Sequence, residues 1–302
     1  MDALLEAALR LATPLLFAAL GELLVERSGV VNIGIEGLML TGAFAAFAVA
    51  VTTASPGLGV AAGVSASVAL GMVFAWFVVL RSADQIVVGT AVNLLALGAT
   101  GLALRSLFPG GIPAAPVVGP LEIPGLASLP VVGTALFGAT PFVPTSLAAT
   151  LCVALFLART RAGLRWRAVG EVARAADAEG VRVAAVRIGA IAVGAAFAGI
   201  AGAMLPLAQS NTFSEGMTAG RGFIALAIVI FGRWNAIGCA AAALFFGATT
   251  ALQFRLQARG LAVPYPLALA LPYVLTLAVL AIATGRARAP RDLGRPYRRE
   301  AH

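Results

Sequence analysis

The 302-residue chain has no lysine, so all 21 of its basic residues are arginine. A Walker-type nucleotide site needs a lysine against the phosphates, and the chain therefore cannot itself be a conventional P-loop ATPase. Histidine is nearly absent as well. The single one is His302, and the two cysteines, Cys152 and Cys239, stand alone in apolar surroundings. No histidine base, disulfide framework or Cys/His metal cluster can be assembled from these. Charge is scarce: 11% of residues are charged, against about 25% in soluble domains. Hydrophobic residues make up 60% and the mean hydropathy is +0.96, which excludes an ordinary soluble domain. Aromatics are only 7%, leaving few rings for stacking on a ligand.

What is present is a series of long apolar segments. A bilayer core of about 30 Å takes about 20 residues of helix, and segments near 4–24, 35–53, 57–80, 86–107, 143–158, 188–208, 220–232, 236–254 and 265–284 are marked by apolar composition. The expected fold is therefore all-α, a polytopic helical membrane protein of about nine transmembrane or re-entrant segments. Segment 220–232 is short for a crossing and reads as a broken or re-entrant helix. Nine crossings put the N-terminus outside and the C-terminus in the cytoplasm, with most arginines on the cytoplasmic side, as the positive-inside rule requires. The net charge of +8 is then explained by membrane lipid, and no nucleic-acid partner is expected. Asp2 and Glu6 precede the first arginine, so no secretory signal is expected.

Polar residues inside these segments are the candidates for function. The first hairpin, Gly21 to Gly37, carries Glu22, Glu26, Arg27, Asn32 and Glu36 near membrane depth, where each isolated charge costs roughly 2.5–3.5 kcal/mol. Gly29, Gly34 and Gly37 break regular helix there, which is tolerated only against protein or a cavity. Glu26 and Arg27 could pair locally, and Glu36 fits a buried structural partner or a pathway role equally. Gln85, Gly89, Asn93 and Thr100 share a face, as either a solute path or a hydrogen-bonded seam would require. Small residues repeat at Gly59, Gly63, Ser67, Gly71 and Ala75, and at Gly194, Ala198 and Gly202; these stripes read as close helix packing.

Between the apolar segments, 159–187 is dense in arginine and predicts a cytoplasmic surface, with a helix over 169–178 and a stop at Gly180. It reads either as a solvated loop that fixes topology or as a docking site. The Pro/Gly-rich stretch 108–142 is expected to fold against the outer face. Glu215 and Arg221 could pair in the other outer turn, and 286–302 reads as a solvated basic tail after a single transmembrane domain over 1–285.

The run Glu26-Arg27-Ser28-Gly29-Val30-Val31-Asn32-Ile33-Gly34-Ile35-Glu36-Gly37 resembles the permease subunits of bacterial ABC importers of the ribose/branched-chain amino acid superfamily, in the nucleoside or simple-sugar branch. Gly220 to Ala227, Phe231 to Asn235, and Gly163 to Gly180 resemble it also. Within the last, Arg174-Ala175-Ala176-Asp177-Ala178-Glu179-Gly180 is similar to the E-A-A-x-x-x-G docking loop, with arginine in place of glutamate.

The resemblance implies a permease that pairs with a second permease subunit, sits on ABC ATPase subunits that hold ATP and Mg2+, and receives solute from an extracytoplasmic lipoprotein. This chain would bind no cofactor and catalyse nothing. It would reside in the bacterial plasma membrane and work by alternating access. Gly170, Glu171, Ala175, Ala176 and Gly180 are the coupling candidates. Asn32, Glu36, Phe44 and Asn93 are path candidates from their chemistry alone. An ion-coupled secondary transporter using Glu22 or Glu36 is the alternative from another class.

Overall fold

The computed structural model describes residues 2–120, 140–258 and 289–297. The described chain is helical: α1 is Asp2–Arg27 and α2 Ile35–Thr53. Helix α3, Pro56–Ala75, widens into a π-helical turn over Trp76–Leu80 and is followed by α4, Gln85–Leu107. Helix α5 is Phe142–Arg159, α6 Arg161–Glu171 and α7 Ala173–Ala178. Helix α8, Val183–Met204, runs on as a π-helical turn to Ser210. Helices α9, Arg221–Phe231, and α10, Ala236–Ala258, complete the described set.

Local chemistry sets several starts. Ser55 accepts from the Leu58 N–H at 3.4 Å with Pro56 in the first turn, and Asp84 accepts from Ile86 and Val87 at 2.9 and 3.0 Å. Side-chain oxygens here serve the donors that a helix N-terminus leaves without partners.

Seven of the helices are long and apolar enough to cross a membrane, and α9 is shorter. Eight of the nine expected segments thus coincide with described helices, whereas 265–284 lies outside the described residues, as does 121–139 of the outer loop. The helices alternate between an arginine-rich end, where Arg27, Arg81 and α6–α7 gather, and a far end. At the far end, residues 108–120 fold back on the chain: Ala115 N–H donates to Asn211 O and Val118 N–H to Leu207 O.

Helix α8 is the central element, packed against α1, α2 and α3 through its small residues. Gly194, Ala198 and Gly202 are buried, as is the α3 stripe of Gly59, Gly63, Ser67 and Gly71. Cβ atoms on Gly42 or Gly63 would lie 2.9 Å from Gly199 Cα and 2.6 Å from Gly42 O respectively, so the three backbones nearly touch. Ser67 adds a hydrogen bond to Leu38 O at 2.6 Å. Dispersion between close backbones holds these helices, because lipid offers no hydrophobic drive between them.

The connector at the arginine-rich end departs from expectation. One helix over 169–178 was predicted, but Val172 is extended (φ −149°, ψ 92°) and splits it into α6 and α7. Gly170 causes the break by packing directly on the Arg27 carbonyl, where a side chain would have no room. Trp166 fixes α6 to the bundle, donating its indole N–H to Leu24 O at 2.7 Å.

Replacing Gly202 with Val should overpack the α2–α8 contact, since its Cβ would fall inside the van der Waals shell of Met39 O. A loss of about 1–3 kcal/mol is expected. Gly57 has open space around it, so Gly57→Ala should leave stability unchanged or slightly raised. Thermal melts of the two purified variants beside the parent check this.

Candidate functional site

The chain crosses from Ser210 to Trp234 in two unlike halves. Residues 211–220 descend from the far end as irregular turns, and α9 completes the passage with 11 residues, about 16 Å of helix. A break at this depth exposes backbone donors that lipid cannot satisfy. Glu36 meets them: Oε1 accepts from Gly220 N–H at 2.8 Å and Oε2 from Gly222 N–H at 2.6 Å. A Cβ at Gly222 would lie 2.6 Å from Glu36 N and Cα, so only glycine allows this approach. Arg221 closes the other side, donating to Met217 O and Thr218 O at 2.8 and 3.2 Å.

The far side of α9 is held by the same hairpin. Trp234 donates its indole N–H to Glu26 Oε2, and its carbonyl accepts from Arg27 Nε at 2.9 Å and Nη2 at 2.5 Å. Glu26 and Arg27 therefore serve Trp234 instead of pairing with each other. Arg233 and Trp234 both take positive φ, 56° and 54°, a strained backbone that these contacts stabilise. Both ends of α9 are thus fixed to the stretch 26–36, and two of the three regions that carry the family resemblance, 26–37 and 220–235, are in contact.

The hairpin's own irregular backbone is served by side chains. Asn32 N–H donates to Glu22 Oε1 at 3.0 Å, and Val31 N–H donates to Gln85 Oε1 at 2.8 Å. Asn93 accepts from Gly37 N–H at 2.7 Å and donates to Ile33 O at 3.0 Å. The polar face of α4 is therefore a seam against the hairpin. Gly89 lets it approach, since a Cβ there would lie 2.8 Å from Gly34 N.

Among the path candidates, Asn32 is 1% exposed and closed to any solute in this conformation. Glu36 and Asn93 are half-buried, with their carboxyl and amide groups bonded to backbone as described. Phe44 is half-buried too, its ring edge-on to Phe213 at 5.3 Å. Glu215 does not pair with Arg221; its carboxyl meets Arg105 Nε and Nη2 at 3.0 and 3.2 Å.

Coupling candidates divide by exposure. Gly170 and Ala176 are buried against their own chain and Glu171 is half-buried, whereas Ala175 and Gly180 are exposed, the latter with φ +80° and open space around it. Two functional features escaped the sequence reading, the Trp234 clamp and the docking of 289–297 described below. The Trp234 clamp had a signal in Glu26 and Arg27, charged residues near membrane depth that need partners within the protein. The tail had none, because arginine-rich composition reads as solvated.

Glu36→Ala should lower stability by about 2 kcal/mol, in the range for bonds to a charged group. Asn93→Ala should cost about 0.6 kcal/mol, the average for membrane-protein hydrogen bonds, and leave solute preference unchanged. Thermal melts beside uptake competition decide both. An Asn93 variant with altered preference and an unaltered melt would contradict the seam.

The comparisons agree with this architecture. The chain is 36% identical over 309 residues to a guanosine ABC transporter permease protein of Bacillus subtilis, covering 98% of this chain and 97% of that one. It is 37% identical over 251 residues to a nucleoside ABC transporter permease protein of Lactococcus lactis subsp. cremoris, 80% of this chain and 78% of the relative. An ABC transporter permease of Haloferax volcanii whose name assigns it to glucose is 38% identical over 265 residues, 86% and 79% of the two chains. No solved structure matches the chain. Residues 4–282 match the model of the permease component of branched-chain amino acid transport systems, and the chain belongs to that family.

Proposed function

We propose that this permease carries nucleosides inward across a bacterial plasma membrane as one subunit of an ATP-driven importer. The observation that carries the reading is the broken crossing clamped by Glu36. Discontinuous helices mark solute paths in transporters, and their N-termini receive anionic groups when they are open. Here the N-terminus of α9 is occupied by the protein's own carboxyl. That suits a neutral, hydroxyl-rich solute better than the carboxylate of an amino acid. The names of the Bacillus and Lactococcus relatives point to nucleosides, and the Haloferax name to a sugar.

The path runs beside 211–220 and α9, with Phe44 as a ring contact and Glu36 and Asn93 as positioning residues. Two acidic groups invoked for ion coupling fit poorly: Glu22 is wholly buried, and Glu36 is bonded through both oxygens. Energy comes from a partner ATPase that holds ATP and Mg2+ against the exposed side of α7, at Ala175, Glu179 and Gly180. In this reading that end is cytoplasmic, with residues 289–297 in the cytoplasm and the far end outside. A second permease subunit completes the path, and a lipoprotein delivers the solute there.

Proteoliposomes holding the full complex should take up guanosine with ATP, and vanadate should abolish the uptake while collapse of ion gradients leaves it intact. Unlabelled nucleosides should compete, and leucine should not. Competition by glucose alone would assign a sugar importer; competition by leucine alone would overturn the argument from the occupied helix terminus. For docking, Ala175→Trp adds bulk on the exposed face and should abolish co-purification of the ATPase. Undiminished co-purification places the docking surface elsewhere.

A further inference from the structure

Residues 289–297 are not a solvated tail. Asp292 bridges the break between α6 and α7: its N–H donates to Gly170 O at 2.9 Å, and its Oδ2 accepts from Ala173 N–H at 2.8 Å. Val172, at the cap position of α7, has no capping side-chain bond. The cap is supplied from 119 residues away. Two positions on, Gly294 N–H donates to Gly29 O at 3.1 Å in the α1–α2 connection. Arg295 O accepts from Arg187 Nη1 at 2.9 Å, at the start of α8. Tyr297 packs against the small cluster of Val169, Ala173, Ala176 and Val183.

Gly29 is the meeting point. Its φ is +87°, and an added Cβ would lie 3.0 Å from Arg187 Nη2 and 3.3 Å from both Asp292 O and Gly170 Cα. The strap, the α6–α7 break, α8 and the α1–α2 connection thus converge on a single backbone position. From Gly29 the next contacts in the chain are Arg27 and Glu26, which clamp Trp234 at the end of α9. A continuous set of hydrogen bonds runs from α7 through Asp292 and Gly294 to Gly29, and from there to the broken crossing.

The geometry points to 289–297 as a transmission strap, with Asp292 a positioning residue that makes α7 and the α1–α2 connection move together when the ATPase acts. This rests on the docking of the ATPase at α7 set out above. Without the strap, α7 is joined to α6 by extended Val172 and by the apolar cluster of Val169, Ala173, Ala176 and Val183, and the hydrogen bonds that tie it to the hairpin through Asp292 and Gly294 are lost. A contiguous network of this kind carries coupling only if both ends respond to it, and the test reads both ends.

The full complex, with Cys152→Ser and a single reporter Ser214→Cys on the irregular half-crossing, is labelled by an impermeant maleimide with and without ATP and vanadate. ATP hydrolysis and ATPase co-purification are measured on the same samples. In the parent, trapping should change the labelling rate. In Asp292→Ala the ATPase should stay bound and hydrolyse ATP while that change shrinks several-fold; Asp292→Asn, which retains an oxygen acceptor for Ala173, should restore it. Gly294→Pro, which removes the donor to Gly29 and cannot adopt the φ of +76° found there, releases the strap and should reproduce the alanine phenotype; it serves if Asp292→Ala does not accumulate. A merely structural role would lower hydrolysis and labelling change in proportion. That result, or a full labelling change in Asp292→Ala, overturns the strap. Loss of the ATPase from Ala175→Trp is independent of this ratio, so a failure of docking and a failure of transmission are told apart. A parent that shows no labelling change would overturn alternating access and the strap with it.

Discussion

Every irregular backbone group at membrane depth needs a partner from within the protein, and the Glu36 carboxyl on Gly220 and Gly222 is where this chain meets that constraint most directly. A helix of 11 residues cannot cross alone, so the crossing must be broken, and a break must be served. Placing a glutamate in the first turn of α2 serves it but brings the two backbones within glycine distance. The hairpin that presents Glu36 must in turn be held still. Glu22 from α1, and Gln85 and Asn93 from one face of α4, do so by bonding the backbone of 31–37.

This arrangement explains why acidic residues persist in a chain so poor in charge. Glu22 and Glu26 are buried, and among the described residues neither is in an ion pair; Glu22 accepts from the Asn32 backbone N–H and Glu26 from the Trp234 indole. Replacing such groups with hydrocarbon can leave stability unchanged or raise it, whereas removing one partner alone is costly. Their value lies in register. Trp234 can meet Glu26 and Arg27 together in only one placement of α9 along α1, and the strained turn at Arg233 and Trp234 depends on that placement.

The sequence showed where polar groups must find partners and left open which partners they find. Length and apolar composition located eight of the described helices, and the short segment 220–232 marked itself as incomplete. The small-residue stripes of α3 and α8 were legible because spacing alone puts them on one face. The face of Gln85, Gly89 and Asn93 was legible as a face, yet its role was not, because a seam and a path demand the same residue types. Glu36 and Gly222 lie 186 residues apart, and no local pattern names such a pair. The tail misled for a different reason: Asp292 and Gly294 act mainly through backbone groups, which composition does not distinguish. Val172 was missed likewise: it is one β-branched residue among helix formers, and its extended backbone goes with Gly170 docking on the hairpin.

The broken crossing is held unequally along its length. Toward the arginine-rich end α9 has the Glu36 bonds, the Trp234 clamp and a buried apolar face at Ala225, Ile228 and Val229. Toward the far end, 211–220 is held by the Ala115 bond to Asn211 O, by buried Phe213 against Phe44 and Phe47, and to α4 by the ion pair of Arg105 and Glu215, whose side chains are 75% and 45% exposed. Exposed pairs of this kind contribute about 0–1 kcal/mol. Elements that move in a working cycle are drawn from the weakly held parts of a structure; within the irregular half the Arg105–Glu215 pair is the contact most readily parted, whereas α9 is fixed at both ends to the hairpin.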